Sequence, residues 1–225
     1  MRYGQIVSGI FKDRPNRFIA HVYIENVLET VHVKNTGRCR ELLIEGSRVI
    51  LEVSHNPNRK TKYDLIGVYR EGIGLVNIDS QAPNKVVGEW LAAKEEVTYI
   101  KPEYTIGSSR IDFYYEMQEK KVLMEVKGVT LERGGKCYFP DAPTLRGVKH
   151  IQELTEAASK GYECYIAFVI QLEGVDEVYP NIDTHKEFGE ALEEAEKAGV
   201  KVLYLGCRVL EDELYIDRAR VKGEE

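Results

Sequence analysis

Five short runs rich in Val, Ile and Tyr crowd the first 70 residues: Gln5 to Phe11, Arg17 to Ile24, Leu28 to Lys34, Arg48 to Val53 and Lys62 to Tyr69. Turn chemistry at Pro15-Asn16, Glu25-Asn26, Gly46-Ser47 and Asn56-Pro57-Asn58 separates them, so each reads as a strand. A segment this short must close its own sheet edges, which predicts a small β-barrel. The five-stranded oligonucleotide-binding (OB) fold is the commonest such barrel that also presents a binding face, and a five-stranded SH3-like barrel is the competing architecture.

After Glu71 the texture changes, through Gly72-Ile73-Gly74 and a connector containing Pro83. A chain of 225 residues accommodates two domains, and the change places their boundary near residue 75, giving 1–75 and 76–225. Asn84 is read as the cap of a helix ending by Glu96, whose apolar stripe runs through Val86, Val87, Trp90, Leu91 and Ala93. Strand-like runs follow at Val97 to Ile100, Arg110 to Tyr115 and Val122 to Val126. Then come a Gly-Gly loop, a helix from about Leu145 to Lys160 and a strand from Tyr162 to Ile170. A second helix has Thr184 and Glu187 spaced as a capping box and Gly199 just past its end, and Val200 to Leu205 is the last core strand. This α-β-β-β-α-β-α-β order predicts an α/β domain with a mixed sheet flanked by helices. Arg218 to Glu225 reads as a frayed, charged tail.

With 43% hydrophobic and 30% charged residues the chain can bury a core, which excludes a disordered or fibrous protein. No apolar run approaches the roughly 20 residues of a membrane-spanning helix, and a cytoplasmic protein is expected. Cys39, Cys137, Cys164 and Cys207 lie far apart, without Cys-x-x-Cys spacing, and read as reduced, buried thiols. Residues 1–70 carry 12 Lys and Arg against 7 Asp and Glu, whereas residues 71–225 carry 19 against 30. That asymmetry suits a front module that meets phosphates and a back module that meets metal, or simply a solvated surface.

The front module's basic residues include Lys12, Arg14, Arg17, Arg38, Arg40, Arg59, Lys60 and Lys62, all at strand ends and loops where nucleic acid meets OB barrels. Phe18, Tyr23 and Tyr63 are candidates for base stacking, although filling the barrel core is the expected role of Tyr23 and the Phe residues.

In the back module, Asp112 and Glu125 sit on consecutive strands whose turn is centred near Gln118-Glu119, so positions whose numbers sum to 237 face each other. Asp112 then opposes Glu125, with Lys127 two places further along the same side. Opposed like charges need a compensating cation, and their oxygens suit Mg2+ or Mn2+. A carboxylate, an apolar residue and a lysine also alternate on ordinary solvent-facing strands. Asp112 and a preceding helix carrying Glu89 turn the triplet into an ordered set.

A second cluster runs from the Gly134-Gly135-Lys136 loop into the helix at Leu145, where Asp141 or Thr144 can cap. Arg146 and His150 are neighbours at a spacing of four and, with Lys136, read as phosphate contacts beside the metal centre.

A helix with a glutamate, a strand with an aspartate and a strand with carboxylate-x-lysine resemble the PD-(D/E)XK nuclease superfamily, although Ile111 replaces the usual proline before the aspartate. The resemblance implies metal ligation by Asp112 and Glu125, Lys127 beside the attacking water and Glu89 as a further ligand. Phe139-Pro140-Asp141-Ala142-Pro143-Thr144-x-Arg146-Gly147-x-x-His150, following Ser109-Arg110-Ile111-Asp112-Phe113 and Glu125-Val126-Lys127-Gly128-Val129-Thr130-Leu131, is similar to the sugar fermentation stimulation protein family. Asn35-Thr36-Gly37-Arg38-Cys39 and Arg14-Pro15-Asn16-Arg17-Phe18 extend that likeness over nearly the whole chain. It implies an OB-like front domain, a nuclease-like back domain, DNA binding and control of sugar (maltose) metabolism genes. A metal-dependent DNA phosphodiesterase is the alternative function, and an RNA-binding OB protein a further one.

Overall fold

The computed structural model describes residues 1–56, 58–107 and 109–224. Pro57 of the Asn56-Pro57-Asn58 turn and Glu225 of the expected tail therefore lie outside the described residues.

The five front runs form β1 (Ile6–Asp13), β2 (Ile19–Ile24), β3 (Val27–Val33), β4 (Arg48–Val53) and β5 (Tyr63–Arg70). Glu25 and Asn26, both at positive φ, make the two-residue turn that pairs Ile24 with Val27. Antiparallel ladders join β3 to β2, β2 to β1, β1 to β4 and β4 to β5. A short parallel pairing, His32 with Asp64 and Val33 with Leu65, closes the barrel. Alternation sends Ala20, Val22, Val31, Val49, Leu51 and Leu65 inward, all fully buried. A sixth strand, β6 (Gly74–Asn77), continues the sheet from β5, although the sequence there reads as a turn and connector. Four residues behind two glycines are too few to show a period.

The remainder runs α1 (Ala82–Ala92), β7 (Val97–Ile106), β8 (Ser109–Met117), β9 (Lys120–Val129), β10 (Glu132–Arg133), β11 (Lys136–Phe139), α2 (Leu145–Ser159), β12 (Glu163–Ile170), β13 (Val178–Pro180), α3 (Lys186–Lys197), β14 (Lys201–Val209) and β15 (Leu214–Val221). The six-stranded mixed sheet has the order β15-β14-β12-β9-β8-β7, with β9, β12 and β14 mutually parallel. Val86, Val87 and Leu91 of α1 pack on one face with Phe113, Met124 and Leu205. On the other, Ile151, Leu154, Phe188 and Leu192 of α2 and α3 pack with Leu123, Ile166 and Phe168. No helix among the described residues is long and apolar enough to cross a membrane.

Three local expectations are corrected. Gln81 precedes α1 and Pro83 occupies its first turn, so Asn84 lies inside the helix and does not cap it. His185 is the N-cap of α3 without a side-chain cap bond, so Thr184 and Glu187 form no capping box. The charged C-terminal stretch is largely strand: β15 pairs with β14 while Arg220 reaches Glu177 at 2.6 Å and Arg218 pairs with Asp176. An edge strand with one solvated face carries charge at the same density as a tail.

Across the sheet, Glu163 receives Lys201 at 2.8 Å, Tyr165 at 2.7 Å and Lys120 at 2.9 Å. Burial pushes its carboxyl up, but these donors outweigh it and leave the pKa at about 2. A depressed carboxylate stabilises the fold above its unfolded pKa and loses that contribution as pH falls through the folded one. Glu163→Gln is therefore expected to flatten the acid limb of stability between about pH 5 and pH 2. Thermal melts across that window check it, and identical slopes in wild type and variant would contradict it.

Candidate active site

Gln118 and Glu119, both at positive φ, form the β8–β9 turn, and the ladder runs from Met117 opposite Lys120 to Phe113 opposite Met124. The ladder ends there, and just beyond it Asp112 Oδ2 accepts the Val126 N–H at 2.8 Å, which keeps its carboxylate in reach of the Glu125 charge. Asp112 Oδ1 accepts from Asn84 Nδ2 of α1, also at 2.8 Å. Burial, then the Glu125 charge, raise the Asp112 carboxyl above its ordinary value despite these bonds.

Glu125 is 3% exposed. Its Oε1 accepts from Lys127 Nζ at 2.6 Å and pairs with His150 Nδ1. Burial pushes its carboxyl up, but the His150 hydrogen bond and the Lys127 ammonium more than offset this, leaving it below the ordinary value. Arg146 Nε lies 3.4 Å from His150 Nε2, which fits a tautomer with the imidazole proton on the side of Glu125. Thr144, not Asp141, caps α2, its hydroxyl accepting the Gly147 N–H at 3.0 Å, and so sets the helix that carries this pair. Both donors to Glu125 converge on one oxygen. Among the described residues its Oε2, which is buried, has no hydrogen-bond partner.

That orphaned atom, opposite a second carboxylate, is what a hard divalent cation would satisfy. Among the described residues no three His, Cys, Asp or Glu side chains form a ready ligand set. Two carboxylates suffice for Mg2+ or Mn2+, which keep waters and take substrate phosphate oxygens as their other ligands. The residues therefore fit the ion.

Glu89 is not brought to this centre: its carboxylate pairs with the Met1 ammonium at 2.6 Å. Asn84 takes the place on α1 that Glu89 was expected to fill. His150 faces Glu125 with both ring nitrogens engaged, and does not turn outward to a phosphate. Lys136 lies on β11 with its ammonium 5.2 Å from the Tyr179 ring centroid.

In the barrel, Lys12, Arg17, Arg38 and Arg40 line one cleft of about 480 Å3. Arg14 is also at its wall, but its guanidinium is committed to the fold, donating to the carbonyls of Arg17, Asn35, Gly37 and Arg38 at 2.6–2.8 Å. Arg59 is held by Asp64, while Lys60 is exposed and does not line the cleft. Phe11 fills the barrel core as expected, whereas Phe18 and Tyr23 do not, being 52% and 39% exposed.

A closed five-stranded barrel joined to a helix-flanked, six-stranded mixed sheet that holds Asp112, Glu125 and Lys127 together defines a two-module protein, an OB-type barrel followed by an α/β domain. The family model "SfsA N-terminal OB domain" matches residues 13–78 and "Sugar fermentation stimulation protein RE domain" matches residues 81–213. A sugar fermentation stimulation protein homolog of Desulfitobacterium hafniense is 54% identical over 216 residues, covering 95% of this chain and 94% of the relative. One from Ruminiclostridium cellulolyticum is 51% identical over 221 residues, covering 97% of each. The structure of Pyrococcus furiosus SfsA in complex with Ca2+ matches with a TM-score of 0.84 at 30% identity, over 97% of this chain and 96% of that one. The chain belongs to the sugar fermentation stimulation protein family.

Proposed function

We propose that this protein binds DNA through the basic cleft of its barrel and hydrolyses the phosphodiester backbone at Asp112, Glu125 and Lys127 with Mg2+ or Mn2+. The unpartnered, buried Oε2 of Glu125 beside Asp112 carries the reading. The relative solved with Ca2+ supports a divalent cation, since Ca2+ also takes carboxylate oxygens. When bound, such an ion would polarise a phosphoryl oxygen and acidify water. Asp112 and Glu125 would hold it, kept in place by Asn84, the Val126 N–H and His150. Lys127 supplies positive charge where the phosphate becomes more negative. Control of sugar (maltose) metabolism genes would then follow from DNA binding alone, and is the reading left if cleavage fails.

Titration calorimetry with Mn2+ tests the centre. Wild type is expected to bind the ion and Asp112→Asn to lose it while keeping its fold, because Asn retains an acceptor for the Val126 N–H and Asn84 can turn its amide to match. Relief of the repulsion with Glu125 should also raise the Tm, by about 2–4 °C for each kcal/mol relieved. Equal Mn2+ binding by the two proteins would remove the site.

A further inference from the structure

The basic cleft of the barrel does not end at the barrel. Thr36 and Gly37 line it and also line a second groove, of about 340 Å3, that reaches Gly128, the neighbour of Lys127. Gly37 is packed hard against the back module, since a Cβ there would meet Asp141 Oδ2 at 2.7 Å. The two modules thus share one narrow path that runs from a set of cations to the strand position next to Lys127. Each part has the size of a small-ligand pocket, about 300–1,000 Å3.

The chemistry changes along this path. At the barrel end, Lys12 and Arg17 line the cleft and each also stands over an exposed ring, Lys12 at 5.8 Å from the Tyr23 centroid and Arg17 at 5.6 Å from that of Phe18. Cations that track a backbone, beside rings that accept a base face, are how single strands are held. Among the described residues the groove beyond has no Lys or Arg in its lining, and Asp141 is its one charged residue. Its walls instead carry the hydroxyls of Thr36, Ser80 and Thr144 and the ring of Tyr138. Ser80 donates to the Lys34 carbonyl and keeps its acceptor role, Thr144 accepts the Gly147 N–H and keeps its proton to donate, and the Asn35 amide is engaged by the Gly37 N–H and the Ile78 carbonyl. The hydroxyls and the ring suit base edges and base faces, which a duplex keeps inside its stack while presenting phosphates outward.

We propose that the substrate is single-stranded DNA, stacked on Phe18 and Tyr23 and led past Thr36 and Gly37 to Lys127. The assignment rests on the nucleic-acid reading above and names the form of polymer that it acts on.

Fluorescence anisotropy in EDTA, so that no cleavage intervenes, compares an unstructured DNA strand, a duplex of equal length and an RNA strand of the same sequence. The single DNA strand is expected to bind at least about tenfold more tightly than the duplex, and Phe18→Ala with Tyr23→Ala to weaken it about 10- to 100-fold with duplex binding unchanged. Both rings are exposed, so the double variant should keep the wild-type Tm. Thr36→Trp, at the exposed junction of the two clefts, should weaken single-strand binding as well. Duplex binding as tight as that of the single strand, no loss in the ring variant, or tighter binding of RNA would each overturn the assignment. Preference for the single strand without Mn2+-dependent cleavage leaves the path standing and removes the catalytic reading. Preferential cleavage of duplex does the reverse.

Discussion

Lys127→Ala is expected to slow Mn2+-dependent DNA cleavage by about 10²- to 10³-fold, as loss of one preorganised electrostatic donor does, while DNA affinity falls much less. The Lys127 side chain is 14% exposed, and its ammonium lies 2.6 Å from Oε1 of the buried Glu125. Its removal has two effects that can be separated. Charge next to the scissile phosphate disappears, which no concentration of metal restores. Burial is also left with less opposition at Glu125, so its carboxyl rises and protons compete with the cation. Saturating Mn2+ should recover the second loss and leave the first, and the rate measured across a Mn2+ titration distinguishes them. Nicking that persists at the wild-type rate in Lys127→Ala and in Asp112→Asn with Glu125→Gln would come from a contaminant, and the catalytic reading would be dropped.

The largest effect on stability is expected at the junction of the two modules. Lys34 Nζ lies 3.1 Å from Oδ2 of Asp79, which has no exposed surface, and 3.5 Å from Glu52. Tyr3 OH reaches the same Asp79 oxygen at 3.3 Å, while Gln171 donates to the Asp79 carbonyl at 3.1 Å and to Asn77. Burial pushes the Lys34 ammonium down, yet the Asp79 carboxylate wins and holds it above its ordinary value. Lys34→Ala strands a buried carboxylate and is expected to cost about 3–5 kcal/mol in urea unfolding. Lys34→Met with Asp79→Asn should recover most of that, because the amide keeps the acceptor for the Gln81 N–H and no fully buried charge is left unpaired, the half-buried Glu52 keeping contact with water. A cost under about 1 kcal/mol for Lys34→Ala would mean that water replaces the ammonium.

What was legible in the chain follows from periodicity and from turns. Strand alternation and two-residue turns at Glu25-Asn26 and Gln118-Glu119 show in sequence because each residue's side is set by its neighbours. For the same reason the register of the β8–β9 hairpin, with opposed positions summing to 237, could be reckoned from the centre of its turn. Glu89 was placed by its helix alone. It lies five residues after Asn84, about 140° round the helix axis, so the two cannot both aim at β8. Pro83 was the available signal, since proline at a helix start moves the cap upstream and frees Asn84 for Asp112. Exposure of Phe18 and Tyr23 was not legible, because an aromatic ring in a strand reads the same whether it points into a barrel or away from it. The work of Arg14 had no signature either, since its partners are main-chain oxygens.

Those four carbonyl acceptors carry a consequence for how the barrel rim can vary. Every residue type presents the same carbonyl, so positions 17 and 38 can exchange side chains without disturbing the clasp on their backbone, whereas Gly37 has no room for a Cβ and the Asn35 amide is bonded to the Gly37 N–H and the Ile78 carbonyl. Arg14 itself has no such latitude: a lysine, with three donors on one point, cannot reach four acceptors spread around a planar fork. The rim is thus a fixed frame with interchangeable faces, and under the proposed function polymer preference can drift at Arg17 and Arg38 while the loops that present them keep their course.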